Sequence, residues 1–173
     1  AALSQASLFR GGFTLAAAEG VIRVGKNQKA PAMFDILGEL VDNSLLRRSQ
    51  TESGEARYSL LESIRAYAAY KLGDPGEMGP ELRGPDAMKQ SQQRHAAHFS
   101  QLGTTKALQA LDGFNSNAQW EALFTDMDNL LEGVGYGTNK TAPLCCLAAL
   151  KILGMKGPVS LGVDIATQVL EIP

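Results

Sequence analysis

Between Gly73 and Pro85 the chain reads GDPGEMGPELRGP, and seven of these thirteen residues are Gly or Pro. Gly costs a helix backbone entropy, and Pro removes an amide donor and clashes with the preceding turn, so no helix is expected to run through this stretch. Every helical pattern must lie on one side or the other. The sequence therefore predicts two modules, 1–72 and 86–173, joined by a linker at 73–85.

In the first module, Leu3 to Arg10 has the pattern of a short apolar helix stopped by Gly11 and Gly12. Thr14 can cap a second helix running through Val21, with Phe13 as its hydrophobic staple. Ile36, Leu37, Leu40, Val41 and Leu45 recur at helical spacing and leave Asp35, Glu39 and Asp42 on the opposite face, which predicts a third helix with an acidic outer surface. Leu45 to Arg48 and Arg57 to Leu60 flank SQTESGEA, whose Gly54 suits a hairpin turn. Ser59 and Glu62 then have capping-box spacing for a helix carrying Leu61, Ile64, Ala68 and Leu72. Three helices, a small β-hairpin and a closing helix make a winged helix-turn-helix.

The second module reads as helix throughout: Asp86 to Leu102, Ser116 to Val134, Ala142 to Leu153 and Val159 to Leu170. Ser116 and Gln119 have capping-box spacing, and Trp120, Leu123, Phe124, Met127, Leu130, Leu131 and Val134 form one stripe expected in the core. Short connections favour antiparallel neighbours, as in helical-hairpin arrays. The expected class is thus mainly α.

Sixteen basic and eighteen acidic residues give a net charge of −2. The modules stand at +2 and −4, too mild an asymmetry to mark a nucleic-acid binder. No apolar run spans a bilayer and no signal-peptide pattern opens the chain, so a cytoplasmic fragment without membrane contact is expected. Cys145 and Cys146 are adjacent, a spacing unlike a redox or zinc pair, and read as buried thiols. His95 and His98 stand one turn apart without a third ligand in register, so no metal is expected.

Five segments occur in an order that resembles one family: LSQASLFRGGFTLAAAE (3–19), ILGELVDNSLLRR (36–48), RYSLLESIRAYA (57–68), RHAAHF (94–99) and WEALFTDMDNLLEGV (120–134). Together they look like the region after the nucleotide-binding core of bacterial STAND NTPases, signal-transduction ATPases with numerous domains. The subgroup is that of the predicted-ATPase transcriptional regulators. The resemblance implies a winged helix packed on an NTPase core upstream in cis, followed by the first helices of a tetratricopeptide-like sensor arm that receives a protein or small-molecule effector. ATP or ADP would belong to the parent protein. Related members place a Met-His-Asp motif against bound ADP; here Leu60-Leu61-Glu62 stands there, and Leu61 cannot hydrogen-bond a phosphate. By the resemblance, Glu62 and Arg65 are the candidates for a nucleotide-switch seam.

No G-x-x-x-x-G-K-[ST] occurs, so the chain has no phosphate-cradling loop and no catalytic residues are assigned. The expected function is a non-catalytic regulatory module that couples nucleotide state to the helical arm, with a hinge in or near Gly73 to Pro85. The alternative is a DNA-binding winged-helix transcription regulator, with Arg47, Arg48 and Arg57 as phosphate contacts. Asp35, Glu39 and Asp42 on the third helix make DNA the less expected partner, because each carboxylate would face a polyanion.

Overall fold

A computed structural model describes residues 1–25, 31–74, 82–114 and 116–172. Among them the chain is mainly helical with one three-stranded antiparallel sheet. It divides into two compact units, Ala1–Arg94 and His95–Pro173.

The first unit runs α1 (Ala2–Ala6), β1 (Phe13–Thr14), α2 (Leu15–Val21), α3 (Met33–Asp42), β2 (Arg47–Gln50), β3 (Ala56–Ser59) and α4 (Glu62–Gly73), and it includes the first ten residues of α5 (Pro85–Phe99). The sheet order is β1-β3-β2, the arrangement of a winged helix in which a hairpin extends from a short first strand. Thr14 caps α2 as its residue type predicts, its hydroxyl accepting from the Ala17 amide at 3.2 Å. Phe13 is fully buried, 4.3 Å from the Phe9 ring and 5.9 Å from Tyr58, and this aromatic stack centres the core. Gly12 lies at φ 98°, and a Cβ there would stand 3.0 Å from the Tyr58 carbonyl, so only glycine fits both the backbone angle and the space.

Several expectations need correction. α1 stops at Ala6 rather than continuing to Arg10, and β1 was not expected. The Ser59–Glu62 capping box does not form: α4 begins at Glu62, so Glu62 sits at the first helical position rather than the third, and Leu61 is the cap residue. The two compact units divide inside α5, at Arg94 and His95. Residues 75–81, on which most of the expected linker and hinge fall, lie outside the described residues. At the edges of that stretch the Gly84 amide donates to the Leu72 carbonyl at 2.8 Å, which ties the start of α5 to the end of α4.

A buried polar network holds α5 within the first unit. The Gln5 side chain is almost fully buried; its amide nitrogen donates to the Arg23 carbonyl at 2.7 Å and its oxygen accepts from the Arg23 amide at 2.9 Å. That oxygen also accepts from the Arg94 guanidinium at 3.0 Å, which in turn donates to the Val21 carbonyl at 2.7 Å and to the Ser91 hydroxyl at 2.7 Å. Each buried polar atom gains a partner, the condition under which such a network stabilises rather than costs.

In the second unit, the end of α5 leads into a 3-10 helix (Ser100–Gly103), α6 (Thr105–Ala110), α7 (Asn117–Thr125), α8 (Met127–Tyr136), α9 (Ala142–Lys156) and α10 (Val159–Leu170). The latter helices follow one another as helical hairpins. The helix expected over Ser116 to Val134 is broken at Asp126, and Ser116 makes no side-chain cap bond. Leu123, Leu130 and Val134 are buried, but Trp120 is only partly so and Phe124 is exposed. The Trp120 indole instead donates to the Leu111 carbonyl at 3.1 Å. Both cysteines are buried and free. Burial pushes the Cys145 thiol up to about 12, which leaves it protonated and unreactive.

Candidate nucleic-acid interface

Two elements of a winged helix ordinarily reach a partner, the third helix and the hairpin wing, and here they carry opposite charge. In the wing, β2 pairs with β3 in the register Arg47 with Ser59, Arg48 with Tyr58, Ser49 with Arg57 and Gln50 with Ala56. Gly54, at φ 86°, closes the turn through its amide to the Thr51 carbonyl at 3.0 Å. β2 is the edge strand and all four of its residues are exposed, Arg47 and Arg48 among them.

Arg57 does not join them. It lies on the central strand, is 6% exposed, and donates to the Gly12 carbonyl at 3.0 Å. Its role is to hold β3 against the backbone that enters β1, and the expectation that it contacts phosphate is corrected accordingly. Glu62 and Arg65 form an ion pair one turn apart on α4, with an Nε to Oε2 distance of 3.0 Å and a second, closer contact between Arg65 Nη2 and Glu62 Oε1. The Arg65 hydrogen bond holds the Glu62 carboxyl below its ordinary range. Glu62 is a solvated carboxylate rather than a helix cap.

On α3, Leu37 is the buried residue, while Ile36, Leu40 and Val41 are half-buried and Asp35, Glu39 and Asp42 are exposed. The acidic outer face expected from the sequence is present. Phe34, which lies outside the apolar stripe read from the sequence, is 57% exposed beside it.

The end of α3 is fixed by a Schellman motif. The Leu45 amide donates to the Leu40 carbonyl at 2.9 Å and the Ser44 amide to the Val41 carbonyl at 2.9 Å, with Ser44 in the left-handed region at φ 58°. Four residues, Asn43 to Leu46, then lead directly into β2.

The two histidines belong to the second unit. His95 is fully buried, with Nε2 3.4 Å from the Asn129 side-chain oxygen and its ring beside Phe99 and Tyr136. Burial lowers its pKa to about 4. His98 meets the edge of Phe99. Among the described residues no group of three or more His, Cys, Asp or Glu is placed to hold a metal ion, and no helix is long and apolar enough to cross a membrane.

Residues 1–73 match the family described as winged helix-turn-helix domain. Proteins of Mycobacterium bovis and of two strains of Mycobacterium tuberculosis, each named "Putative HTH-type transcriptional regulator", are 42% identical to this chain over 78 residues. That stretch covers 45% of this chain and 9% of each relative. No solved structure matches. The winged helix expected from periodicity and turn chemistry is thus shown by the strand order and by the family match.

Proposed function

We propose that this chain supplies the winged-helix part of a transcriptional regulator and that it touches DNA through the β2–β3 wing, with Arg47 and Arg48 on backbone phosphates. The observation that carries this reading is the pair of exposed arginines on the edge strand of a domain that matches the winged helix-turn-helix family. The names of the mycobacterial relatives support it. Asp35, Glu39 and Asp42 argue against α3 as a major-groove reader, since each is repelled by phosphate. Two arginine contacts without base readout give weak, unselective association, with Kd on the order of 1–100 μM at physiological salt.

Fluorescence anisotropy with random and AT-rich duplexes tests this. Two phosphate contacts predict that log K falls with log salt at a slope of about −2. R47A/R48A should abolish binding. A duplex affinity that survives this substitution refutes the wing reading.

A second reading is favoured by the acidic outer row of α3: the winged helix packs on protein rather than on DNA, as in a regulator whose NTPase core binds ATP or ADP and whose helical arm senses an effector. A P-loop encoded upstream in the parent gene supports that reading; its absence removes it.

A further inference from the structure

On α3, Asp35, Glu39 and Asp42 lie at i, i+4 and i+7 and form one row along the helix. Beside it runs a second row, Phe34, Gly38 and Val41, at the same spacing. Phe34 is 57% exposed and Val41 is half-buried. Gly38 has nothing within 4 Å of where a Cβ would stand, so it leaves an open notch between the two apolar side chains. None of the three carboxylates forms an ion pair with a described residue. The exposed face of α3 is therefore an apolar ridge with a gap, bordered along its length by three carboxylates that pair with none of the described residues.

That charge arrangement selects the occupant. DNA and an anionic lipid surface both meet the carboxylate row with like charge. A second copy docked across a two-fold axis sets the same acidic row against itself, and a self-complementary interface cannot form that way. The chemistry that complements the face is a cationic amphipathic polypeptide segment about three turns long, with an apolar side chain to enter the Gly38 notch against Phe34 and lysines or arginines along one edge. We propose that α3 is a docking face for such a segment. The inference stands apart from the wing reading, since the two surfaces use different residues, and it goes beyond the packing reading by committing to the partner's chemistry.

The test uses a synthetic helical peptide of about fourteen residues, roughly 21 Å long, with leucines on one face and lysines along its edge, and a twin in which every lysine is glutamate. Titration of the full chain by fluorescence anisotropy should show binding of the lysine peptide, weakening with salt, and no binding of the twin. D35K/E39K/D42K should reverse this preference, losing the lysine peptide and accepting the twin. F34A should weaken the lysine peptide by about tenfold. Should the reversal variant melt early, D35N/E39Q/D42N gives the same reading through loss of the lysine peptide alone. D164K/E171K, on α10 and at the residue that caps its C-terminus, removes two exposed carboxylates elsewhere and should leave binding intact. Equal loss in that control, or lysine-peptide binding that survives the α3 charge changes, overturns the proposal. So does a concentration-dependent dimer in sedimentation that F34A abolishes, because a second copy would then be the occupant.

Discussion

Gly103→Ala is the substitution whose cost the structure specifies most directly. Gly103 ends the 3-10 helix, and a Cβ built on it would stand 1.7 Å from the Leu144 carbonyl oxygen and 2.5 Å from the carbonyl carbon. Both atoms belong to the backbone near the start of α9, so no rotamer change relieves the overlap; the two segments must part by more than about 1 Å to restore van der Waals contact. Overpacking of this kind costs about 1–3 kcal/mol when side chains can yield. Here backbone opposes backbone, and about 3 kcal/mol is the expected loss. For a unit the size of His95–Pro173, each kcal/mol lowers Tm by about 4–8 °C, so the transition should fall by about 12–24 °C. Thermal melting followed by circular dichroism reads this. The matched control is Gly154→Ala inside α9, where a Cβ meets nothing within 4 Å and removal of glycine from a helix should stabilise by about 0.5–1 kcal/mol. A Gly103→Ala chain that melts within a few degrees of the parent, or the same sign for both variants, refutes the reasoning from backbone approach.

Two further outcomes follow from local chemistry. Ser44→Gly should stabilise the first unit by about 1 kcal/mol, because Ser44 holds a left-handed conformation that glycine adopts freely; urea titration should show a higher midpoint. His95 has a folded pKa of about 4, below the unfolded 6.5, so the unfolded chain binds more protons between these values. Stability should therefore be full above about pH 6.5 and fall as pH drops toward 4, by about 3 kcal/mol from this residue. In His95→Gln that fall should shrink, leaving the smaller share from His98, whose pKa burial also lowers; an unchanged pH profile would refute the assignment.

The elements legible in the sequence are those whose signal is local. α10 runs from Val159 to Leu170, where its periodicity placed it, and Thr14 caps α2 because a hydroxyl before a helical stripe has few other uses. The winged helix was legible because helix stripes, the Gly54 turn and the hairpin flanks each report on nearby residues. What failed depends on distant partners. β1 is two residues long and acquires its identity from pairing with β3, some forty residues on. The break at Asp126 was hidden because the apolar stripe continues in phase on both sides of it. Arg57 looked like Arg47 and Arg48 in sequence, but it lies on the central strand beside the Gly12 carbonyl, and no local pattern reveals that neighbour. In the candidate site, the acidic row of α3 and the exposed wing arginines could be read directly. Phe34 could not, since its exposure depends on which apolar residues the rest of the unit covers.

The Schellman closure of α3 acts as a rigid elbow. Leu40 and Val41 accept backbone hydrogen bonds from the residues that lead into β2, so the acidic helix and the cationic strand are two arms of one lever with no slack residue between them. Were a segment seated against Phe34 to tilt α3, these backbone bonds would pass the tilt on toward Arg47 and Arg48.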